Sequence, residues 1–538
     1  MKRKELIFLF LLLVSLFALY FNGLKADFIM DDEIFIKNDV RIKQKTNILN
    51  FFKTGYWTYL GEVRDYDYYR PLVLLSFYLD FKIYGTNYEG FRITNILLLF
   101  FFSFFFFIFV KDILNLDYNT SAISTILMAF HPLHSENIAW IVGRNETMYL
   151  MWGFAFLYFS GKYLGERKSK YLLPAHLFFI LGLFTKETFV LFIPILIILD
   201  ILLIKSKKIC FYLSLAPAFV VYYLIRSSII KHTLIFYKIK PITLSLYKII
   251  ASFGFYNKNM LFPLYFEKLI ETSNLSSLKI NFIIGILFIF FYLFLLYKFF
   301  IKKENIKLFS LLFLLIFTGF FSVMVLRYFF PAVTRYLSAS IPPIAILGAI
   351  YFEKIKLKFK NIVLGIILIL FGIQIIWNNS LFLSQERYLK YMVKRVPESN
   401  YQRIGLARLY IKQGRYFKAI ENLEKVNEKK LERLNFILYN FCKSDIFKKA
   451  AMYDKALLHL KNANKKIGNR IEKSWVLIHL VDILRRVGNY DKAESLIYDY
   501  QNKFGDLYDL DAILWEIKIS QLKWESANKI ERKIRKEL

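Results

Sequence analysis

Long apolar runs separated by short basic or polar stretches fill the first 377 positions of the chain, and amphipathic helical periodicity follows them. Eleven runs approach the roughly 20 apolar residues that a membrane-spanning helix needs. The predicted spans are 5–22, 91–110, 119–137, 146–162, 171–185, 187–204, 209–226, 280–300, 306–326, 337–353 and 361–377. The pattern predicts an all-α protein, in which a polytopic helical bundle at 1–377 precedes a soluble helical domain.

Lysine and arginine in short loops set the expected orientation. The chain starts with MKRK, and later basic loops read GERKSK at 165–170, KSKK at 205–208 and EKIKLKFK at 353–360. Because such loops stay in the cytoplasm, we expect the long loop 23–90 and everything after Trp377 on the outer side. The first apolar run lacks a small-residue cleavage site, so we interpret it as a retained span rather than a cleaved signal peptide.

The apolar stretch 244–266 breaks this alternation if it is counted as a full span, because both of its flanks belong outside. Its interior contains Lys248, Asn257, Lys258 and Asn259, and such residues are costly in a helix that faces lipid. We therefore expect this stretch to lie in the membrane interface or to re-enter the membrane.

A repeat with a spacing of 37 residues marks the soluble part. The positions that share it are Gly414, Ala451 and Gly488, then Tyr416, Tyr453 and Tyr490, and then Ala419, Ala456 and Ala493. A small residue and an aromatic before a helix that carries alanine are typical of tetratricopeptide (TPR) repeats. We predict a linker at 378–397 and a TPR α-solenoid at 398–538, with about three repeats and a degenerate capping unit around Trp515, Trp524 and Ala527. The alternative is an irregular helical bundle.

Composition agrees with a membrane protein. Of the 538 residues, 57% are hydrophobic and 19% are aromatic, which is too apolar for ordinary soluble domains. A net charge of +32 would suggest nucleic acid for a soluble protein. Here many basic residues lie beside apolar runs, so the charge favours anionic lipid headgroups and excludes nucleic acid as the expected partner. Two cysteines far apart in the chain, Cys210 and Cys442, predict neither a disulfide framework nor a metal cluster.

The long outer loop contains an acidic pair close behind the first span. Asp31 and Asp32 lie in the sequence KADFIMDDEIF. A carboxylate at the membrane surface could take a proton from an acceptor hydroxyl, which is the work of a general base. The alternative is an ordinary solvated pair.

Basic side chains near other predicted outer turns are candidates for binding an anionic ligand. Arg70 could hold two phosphate oxygens at once, or it could anchor a lipid headgroup. Lys186 and Glu187 sit in a very short turn, where the lysine could meet a phosphate or the two could form an ion pair. Arg335 and Tyr336 also face outward, and the arginine could stabilise a departing phosphate.

The end of the third predicted span is dense in ionisable residues. The sequence FHPLHSENIAWIVGRNETMYL brings together His131, His134, Glu136, Arg144, Asn145 and Glu146. Ionisable residues at a span end are expensive unless they are used. A metal site is one reading of the histidines and glutamate, but with no third histidine nearby a structural hydrogen-bonded cluster is favoured.

These motifs together resemble the TPR-containing O-mannosyltransferase-like family, the bacterial and archaeal relatives of the animal TMTC proteins, within the GT-C fold class. The resemblance extends over nearly the whole chain. It consists of the acidic pair, YRPL followed by G-x-N-x-x-x-F-R-x-x-N, then HPLHSENIAWIVGR, the KE turn, TRYL and the TPR repeats. HPLHSENIAWIVGR is the most specific of these motifs.

The resemblance implies a multi-pass glycosyltransferase that moves a sugar, with mannose one candidate, from a polyprenyl-phosphate donor to an acceptor hydroxyl. It makes Asp31 and Asp32 the general-base candidates and puts Arg335 with Tyr336 where the carrier phosphate would bind. The residues assigned to the cavity wall are His131, Glu136, Arg144, Lys186 and Glu187. The family often has an acidic residue just before TRYL, where this chain has Ala332 and Val333.

The expected acceptor is a protein serine or threonine presented by the TPR domain, on the outer face of a bacterial or archaeal cell membrane. No cofactor is assigned, although a divalent cation stays open, and no metal-ligating residue is predicted. The alternatives are a non-catalytic membrane-anchored TPR scaffold for envelope assembly, a GT-C transferase acting on lipid or polysaccharide, and a transporter or flippase. The membrane part shows no repeated hydropathy between its halves, which argues against a transporter.

Overall fold

The computed structural model describes residues 2–44, 47–57, 68–206, 208–230, 246–263, 275–302, 334–356, 358–468, 470–504 and 508–537. Throughout these ranges the regular elements are helical, as the sequence predicts. The chain divides into two compact units, Met1–Ser384 and Gln385–Leu538. The predicted linker 378–397 contains the end of one helix and the whole of a short one, Gln385–Arg395.

The first unit is built mainly from α-helices. Their bounds are α1 Arg3–Leu24, α2 Val40–Lys43, α3 Pro71–Tyr84, α4 Tyr88–Asp112, α5 Tyr118–Ala129, α6 His134–Ala139, α7 Arg144–Glu166, α8 Leu172–Leu183, α9 Phe192–Leu199, α10 Ile209–Ile229, α11 Leu246–Leu261, α12 Leu275–Lys302, α13 Ile341–Lys354 and α14 Lys360–Leu381.

In the described part of the chain, five helices are long and apolar enough to cross a membrane. They are Arg3–Leu24, Tyr88–Asp112, Glu187–Ile204, Ile209–Ile229 and Lys360–Leu381, and each matches a predicted span. This suits an integral membrane protein. The larger number of eleven spans stays a prediction, and the predicted span 306–326 lies outside the described residues.

The predicted span 119–137 is interrupted in the structure. Helix α5 ends at Ala129, a turn follows, and the short helix α6 begins at His134. Pro132 explains the break, because the residue before a proline is disfavoured in helical conformation and the proline itself has no amide hydrogen. The break exposes backbone groups of the following segment to polar side chains, which matters for the site described below.

Helices α11 and α12 cross at unusually close range. A Cβ added at Gly254 would lie 1.9 Å from the carbonyl oxygen of Asn281, and one added at Gly285 would lie 2.1 Å from that of Ile250. Only glycine fits at such a crossing. The buried Asn257 accepts a hydrogen bond of 2.7 Å from the Tyr292 hydroxyl. The polar residues noted in the stretch 244–266 thus include one that pairs with a neighbouring helix.

The second unit consists mainly of paired consecutive helices. Their bounds are α15 Gln385–Arg395, α16 Asn400–Lys412, α17 Tyr416–Glu424, α18 Arg433–Lys449, α19 Tyr453–Asn464, α20 Arg470–Arg486, α21 Tyr490–Phe504, α22 Tyr508–Ser520 and α23 Trp524–Glu537. From α16 onwards the helices pack in consecutive pairs, which are α16 with α17, α18 with α19, α20 with α21 and α22 with α23.

The 37-residue spacing falls on equivalent structural positions. Left-handed backbone precedes the second helix of each pair, with φ of 73° at Gly414, 58° at Ala451, 78° at Gly488 and 59° at Leu522. The second helices then begin at Tyr416, Tyr453, Tyr490 and Trp524. Ala419, Ala456, Ala493 and Ala527 are buried at the helix contacts. The repeat is therefore structural, and its assignment to the TPR class stays a prediction.

Candidate functional site

The polar turn, defined here as residues 131–146, is the centre of the candidate site. It lies between α5 and α7 and contains the short helix α6. The carboxylate of Asp32, which is fully buried, accepts hydrogen bonds from the backbone amides of Val142 at 2.9 Å and Ile141 at 3.4 Å. These amides are available because α6 ends at Ala139 and no helical carbonyl takes them. Asp32 therefore fastens the acidic loop to the polar turn.

Burial also changes the protonation equilibrium of Asp32. Desolvation by burial raises its pKa from 3.8 to about 7, although Arg92 and three backbone amides favour the charged form. Its neighbour Asp31 is only half-buried. The two acids of the predicted pair thus have different environments, and only Asp31 is accessible to a substrate in this arrangement.

This pKa predicts a pH-dependent stability. A raised carboxyl pKa means that the folded protein holds the proton more tightly than the unfolded chain, so this contribution to stability is complete below pH 3.8 and is lost as the pH rises through 7. We expect Asp32→Asn, which mimics the protonated carboxyl, to lose that dependence. Thermal unfolding in detergent from pH 4.5 to 8 would measure it. A constant difference between the two proteins across this window would contradict the assignment.

Arg92, in the first turns of α4, ties three backbone segments together. Its guanidinium donates to the carbonyl oxygens of Ala26, Asp27 at 2.7 Å and Ala139 at 2.9 Å. The side chain is 1% exposed. Because the guanidinium fork has five donors in fixed geometry, this one residue positions the loop that carries Asp31 against the polar turn.

Asn95 and Arg144 continue the network. The Asn95 amide donates to carbonyl oxygens of the polar turn, at Asn137 and Ile138 among others, while its oxygen accepts from Nε of Arg144 at 2.8 Å. Arg144 is fully buried and forms an ion pair with Asp80 of α3. A buried cation with a carboxylate partner and further acceptors stabilises the fold, and the assignment of Arg144 to a cavity wall stays a prediction.

Two more ion pairs join the neighbouring helices. Lys186 places its ammonium group 2.6 Å from both carboxylate oxygens of Glu146. Arg70 holds Glu187 through two hydrogen bonds, of 2.6 Å and 3.1 Å. The two residues of the Lys186–Glu187 turn thus contact different elements, since Glu146 lies in α7 and Arg70 directly precedes α3.

Arg335 approaches the polar turn from the short helix Thr334–Ser340. Its guanidinium donates to Glu136 at 3.1 Å and lies over the ring of Trp140, 4.1 Å from the centroid. The Arg335 side chain is 17% exposed, and that of Glu136 is 1% exposed. Tyr336 belongs to the same helix, but its side chain lies outside the described residues. Arg335 is therefore a partly accessible cation at the edge of a buried network.

His131 is engaged at both ring nitrogens. Nε2 donates to the carbonyl oxygen of Met260 at 2.8 Å, and Nδ1 accepts from the amide of Leu133 at 3.3 Å. The carbonyl can only accept, which assigns the proton to Nε2 and makes the ring neutral. The described residues contain no group of three or more His, Cys, Asp or Glu side chains placed to hold a metal ion.

The structure brings most of the predicted site residues into one network. Those bound to each other or to the polar turn are Asp32, His131, Glu136, Arg144, Lys186 and Arg335, and Arg70 with Glu187 extends it from the adjoining turn. Many of these charges are neutralised internally. Asp31, Arg335 and Glu187, whose side chain is 28% exposed, are the ionisable members with access from outside.

Three members of the network were not among the predicted site residues, and Asn95, described above, is one of them. Asp80 is the partner of Arg144, and Arg92 clamps the acidic loop. The signal for Arg92 was present, because an arginine in an otherwise apolar helix is expensive unless it is paired. Asp80 gave a similar signal within the apolar run of α3, but the sequence does not reveal its partner 64 residues away.

No family model matches the chain. It is 29% identical over 206 residues to the protein O-mannosyl-transferase F38B6.6 of Caenorhabditis elegans, covering 37% of this chain and 29% of that protein. It is 37% identical over 131 residues to the protein O-mannosyl-transferase TMTC2 of Mus musculus, covering 24% and 16%.

A third relative is the protein O-mannosyl-transferase TMTC3 of Homo sapiens, 28% identical over 155 residues, which cover 28% of this chain and 16% of that protein. The matched part thus spans less than a third of each of these relatives. These similarities confirm the expected resemblance to the TMTC proteins over at most 37% of this chain, and its extension over nearly the whole chain stays a prediction.

Proposed function

We propose that this chain, a relative of the TMTC protein O-mannosyl-transferases, is a membrane glycosyltransferase of the GT-C class that transfers a sugar from a polyprenyl-phosphate donor to a protein hydroxyl. One observation carries the proposal. Asp31 carries a half-buried carboxylate and directly precedes Asp32, which is hydrogen-bonded to the polar turn. Arg335 is a partly exposed cation that is bound to Glu136 of the same turn. A base and a phosphate-binding cation are the two groups that such a transfer needs.

The proposed reaction is a single displacement. The Asp31 carboxylate accepts the proton of a serine or threonine hydroxyl, whose oxygen forms a bond to the anomeric carbon of the sugar. The bond from that carbon to the phosphate oxygen breaks, and its electron pair leaves with the carrier phosphate. Arg335 stabilises the charge that develops there, and the configuration at the anomeric carbon inverts.

Asp32 has a supporting role in this scheme. Its carboxylate is occupied by the amides of the polar turn, so it holds Asp31 in place instead of meeting the substrate. Arg92 acts in the same way from the other side, because it fixes the carbonyl oxygens of Ala26 and Asp27. Precise placement of a base contributes strongly to rate.

The second unit completes the proposal as a TPR domain that presents the protein acceptor. Its paired helices and repeated alanine contacts support a stack of repeats, and stacked repeats form extended binding surfaces. The proposal also includes eleven membrane spans, which place this domain on the outer side. The sugar would then be transferred on the outer face of a bacterial or archaeal cell membrane.

The direct test is transfer by the purified full-length chain. It would be incubated with labelled polyprenyl-phosphate sugars and either folded envelope proteins or short serine- and threonine-containing peptides. We expect label on hydroxyl side chains, with folded proteins preferred over peptides. Label on lipid or polysaccharide alone would assign a different acceptor, and no transfer from any such donor would favour a non-catalytic scaffold.

The proposed topology makes a separate prediction. In a Cys210→Ser background the remaining thiol, Cys442, is 2% exposed and should react poorly. We expect a membrane-impermeant maleimide to label Phe417→Cys in intact cells, because Phe417 is 91% exposed in the second unit. Lys168→Cys, in a loop predicted to be cytoplasmic, should be labelled only after lysis. The reverse labelling pattern would place the helical repeats on the cytoplasmic side and contradict the proposal.

A further inference from the structure

Tyr56 lies between the acidic loop and the Arg70 ion pair, and its position is fixed from several sides. The centroid of the Tyr56 ring is 4.1 Å from that of the Phe35 ring. The Arg70 guanidinium lies over the face of the Tyr56 ring, 5.8 Å from its centroid. Its amide donates to the carbonyl oxygen of Tyr68 at 2.7 Å, and its own carbonyl accepts from Arg41 at 3.0 Å. The side chain is 2% exposed and is therefore held in one orientation.

The hydroxyl of Tyr56 has no hydrogen-bond partner among the residues that the structure describes. Burying a hydroxyl without a partner is unfavourable, and such groups in native proteins call for an explanation. Tyr69, in the same region, shows the ordinary case. Its ring is equally buried, and its hydroxyl donates to the carbonyl oxygen of Phe52 at 2.8 Å. The difference suggests that Tyr56 is completed by a ligand.

Three of the four charges that act on the Tyr56 hydroxyl belong to the candidate site, and Arg41 is the exception. Arg70, Asp31, Asp32 and Arg41 all act on it electrostatically, and desolvation by burial, the largest influence, raises its pKa above the ordinary value of 10. The phenol therefore keeps its proton at physiological pH and can serve as a hydrogen-bond donor. The hydroxyl is influenced both by the proposed base, Asp31, and by Arg70, whose guanidinium lies 5.8 Å from the Tyr56 ring centroid.

We propose that the Tyr56 hydroxyl donates a hydrogen bond to a phosphate oxygen of the lipid-linked sugar donor. The inference rests on the proposed function and assigns one contact of its donor. A phosphate oxygen is anionic, so the hydrogen bond is charge-assisted, and the nearby Arg70 makes the local field favourable for it. An acceptor serine or threonine hydroxyl would meet the same phenol without that electrostatic gain.

The matched variants are Tyr56→Phe and Tyr69→Phe, since each removes one hydroxyl and keeps the ring. For Tyr56→Phe we expect kcat/KM for the polyprenyl-phosphate sugar to fall by about 10- to 100-fold, the range of a hydrogen bond to a charged group, while KM for the acceptor is unchanged. Direct binding of the labelled donor to purified protein should weaken to a similar extent. Tyr69→Phe should leave both quantities within about threefold of the wild type.

Stability without ligand provides a second readout. An unpartnered hydroxyl adds nothing to the unliganded fold, so the Tm of Tyr56→Phe should equal or exceed that of the wild type, while Tyr69→Phe should lower it. A drop for Tyr56→Phe as large as that for Tyr69→Phe would overturn the inference, and so would an unchanged donor affinity or a change confined to the acceptor KM. If the wild type neither binds nor uses the donor, the proposed function fails. If the wild type transfers sugar and Tyr56→Phe has the same donor binding and the same kcat/KM, only the proposed Tyr56 contact is overturned and the proposed function stands.

Discussion

Asp31→Asn should lower sugar transfer by about 10² to 10⁴-fold, the usual contribution of a general base. The asparagine keeps the size of the side chain but cannot accept the proton of the acceptor hydroxyl. Because Asp31 is half-buried and the Asp32 carboxylate makes the contacts with the polar turn, the fold and donor binding should be retained. The measurement is the rate of label transfer in membranes given saturating lipid-linked sugar, with donor binding measured in parallel.

Asp27→Asn is the matched control for this experiment. Asp27 is exposed in the same loop, and its carboxylate caps the amide of Phe28 at 2.8 Å, which an asparagine oxygen can also do. We expect that variant to transfer at close to the wild-type rate. Full transfer by Asp31→Asn, and by a variant that also carries Asp32→Asn, would remove the proposed base from the mechanism.

Arg144→Met should be among the most destabilising single changes in the first unit. The substitution leaves the Asp80 carboxylate buried without its cation and deprives the Asn95 oxygen and the Phe91 carbonyl of a donor. Breaking one side of a buried ion pair costs about 3–5 kcal/mol. Thermal or denaturant unfolding in detergent, followed by size-exclusion chromatography of the folded fraction, would measure the loss.

A double variant distinguishes the ion pair from simple packing. Arg144→Met combined with Asp80→Leu removes both charges, and it should recover a large part of the stability that the single change loses. Lys162→Met is the comparison, because Lys162 and Glu166 form an ordinary pair one helical turn apart near the surface, worth about 0–1 kcal/mol. Equal losses for Lys162→Met and Arg144→Met would show that the buried pair has no special structural weight.

The apolar spans and the alanine spacing were predictable because each depends on nearby positions in the chain. Within the helix Tyr88–Asp112, the stretch 96–110 is apolar at every residue except Ser103, so a membrane-length helix follows from composition and length. Ala419, Ala456 and Ala493 each follow a lysine directly and a tyrosine by three positions, and all three are buried. Pro132 could also have indicated the break after Ala129, but the apolar character of the stretch 119–137 concealed it.

The partners inside the candidate site could not be obtained from the sequence in the same way. Arg70 and Glu187 lie 117 positions apart, and Glu136 and Arg335 lie 199 apart. Periodicity carries no information about such pairings, which depend on how the helices pack. The sequence therefore indicated which residues were chemically unusual, and only the fold separates Asp31, with its partial exposure, from Asp32, whose carboxylate is buried in backbone contacts.

The attachment of both Asp32 and Arg335 to the polar turn has a thermodynamic consequence. A carrier phosphate that takes Arg335 away from Glu136 changes the set of bonds that holds this turn, and the same turn supplies the amides that fix the acidic loop. Donor binding at Arg335 and acceptor binding at the acidic loop are then linked. The linkage is reciprocal, because the donor must alter the affinity for the acceptor by the same factor by which the acceptor alters the affinity for the donor.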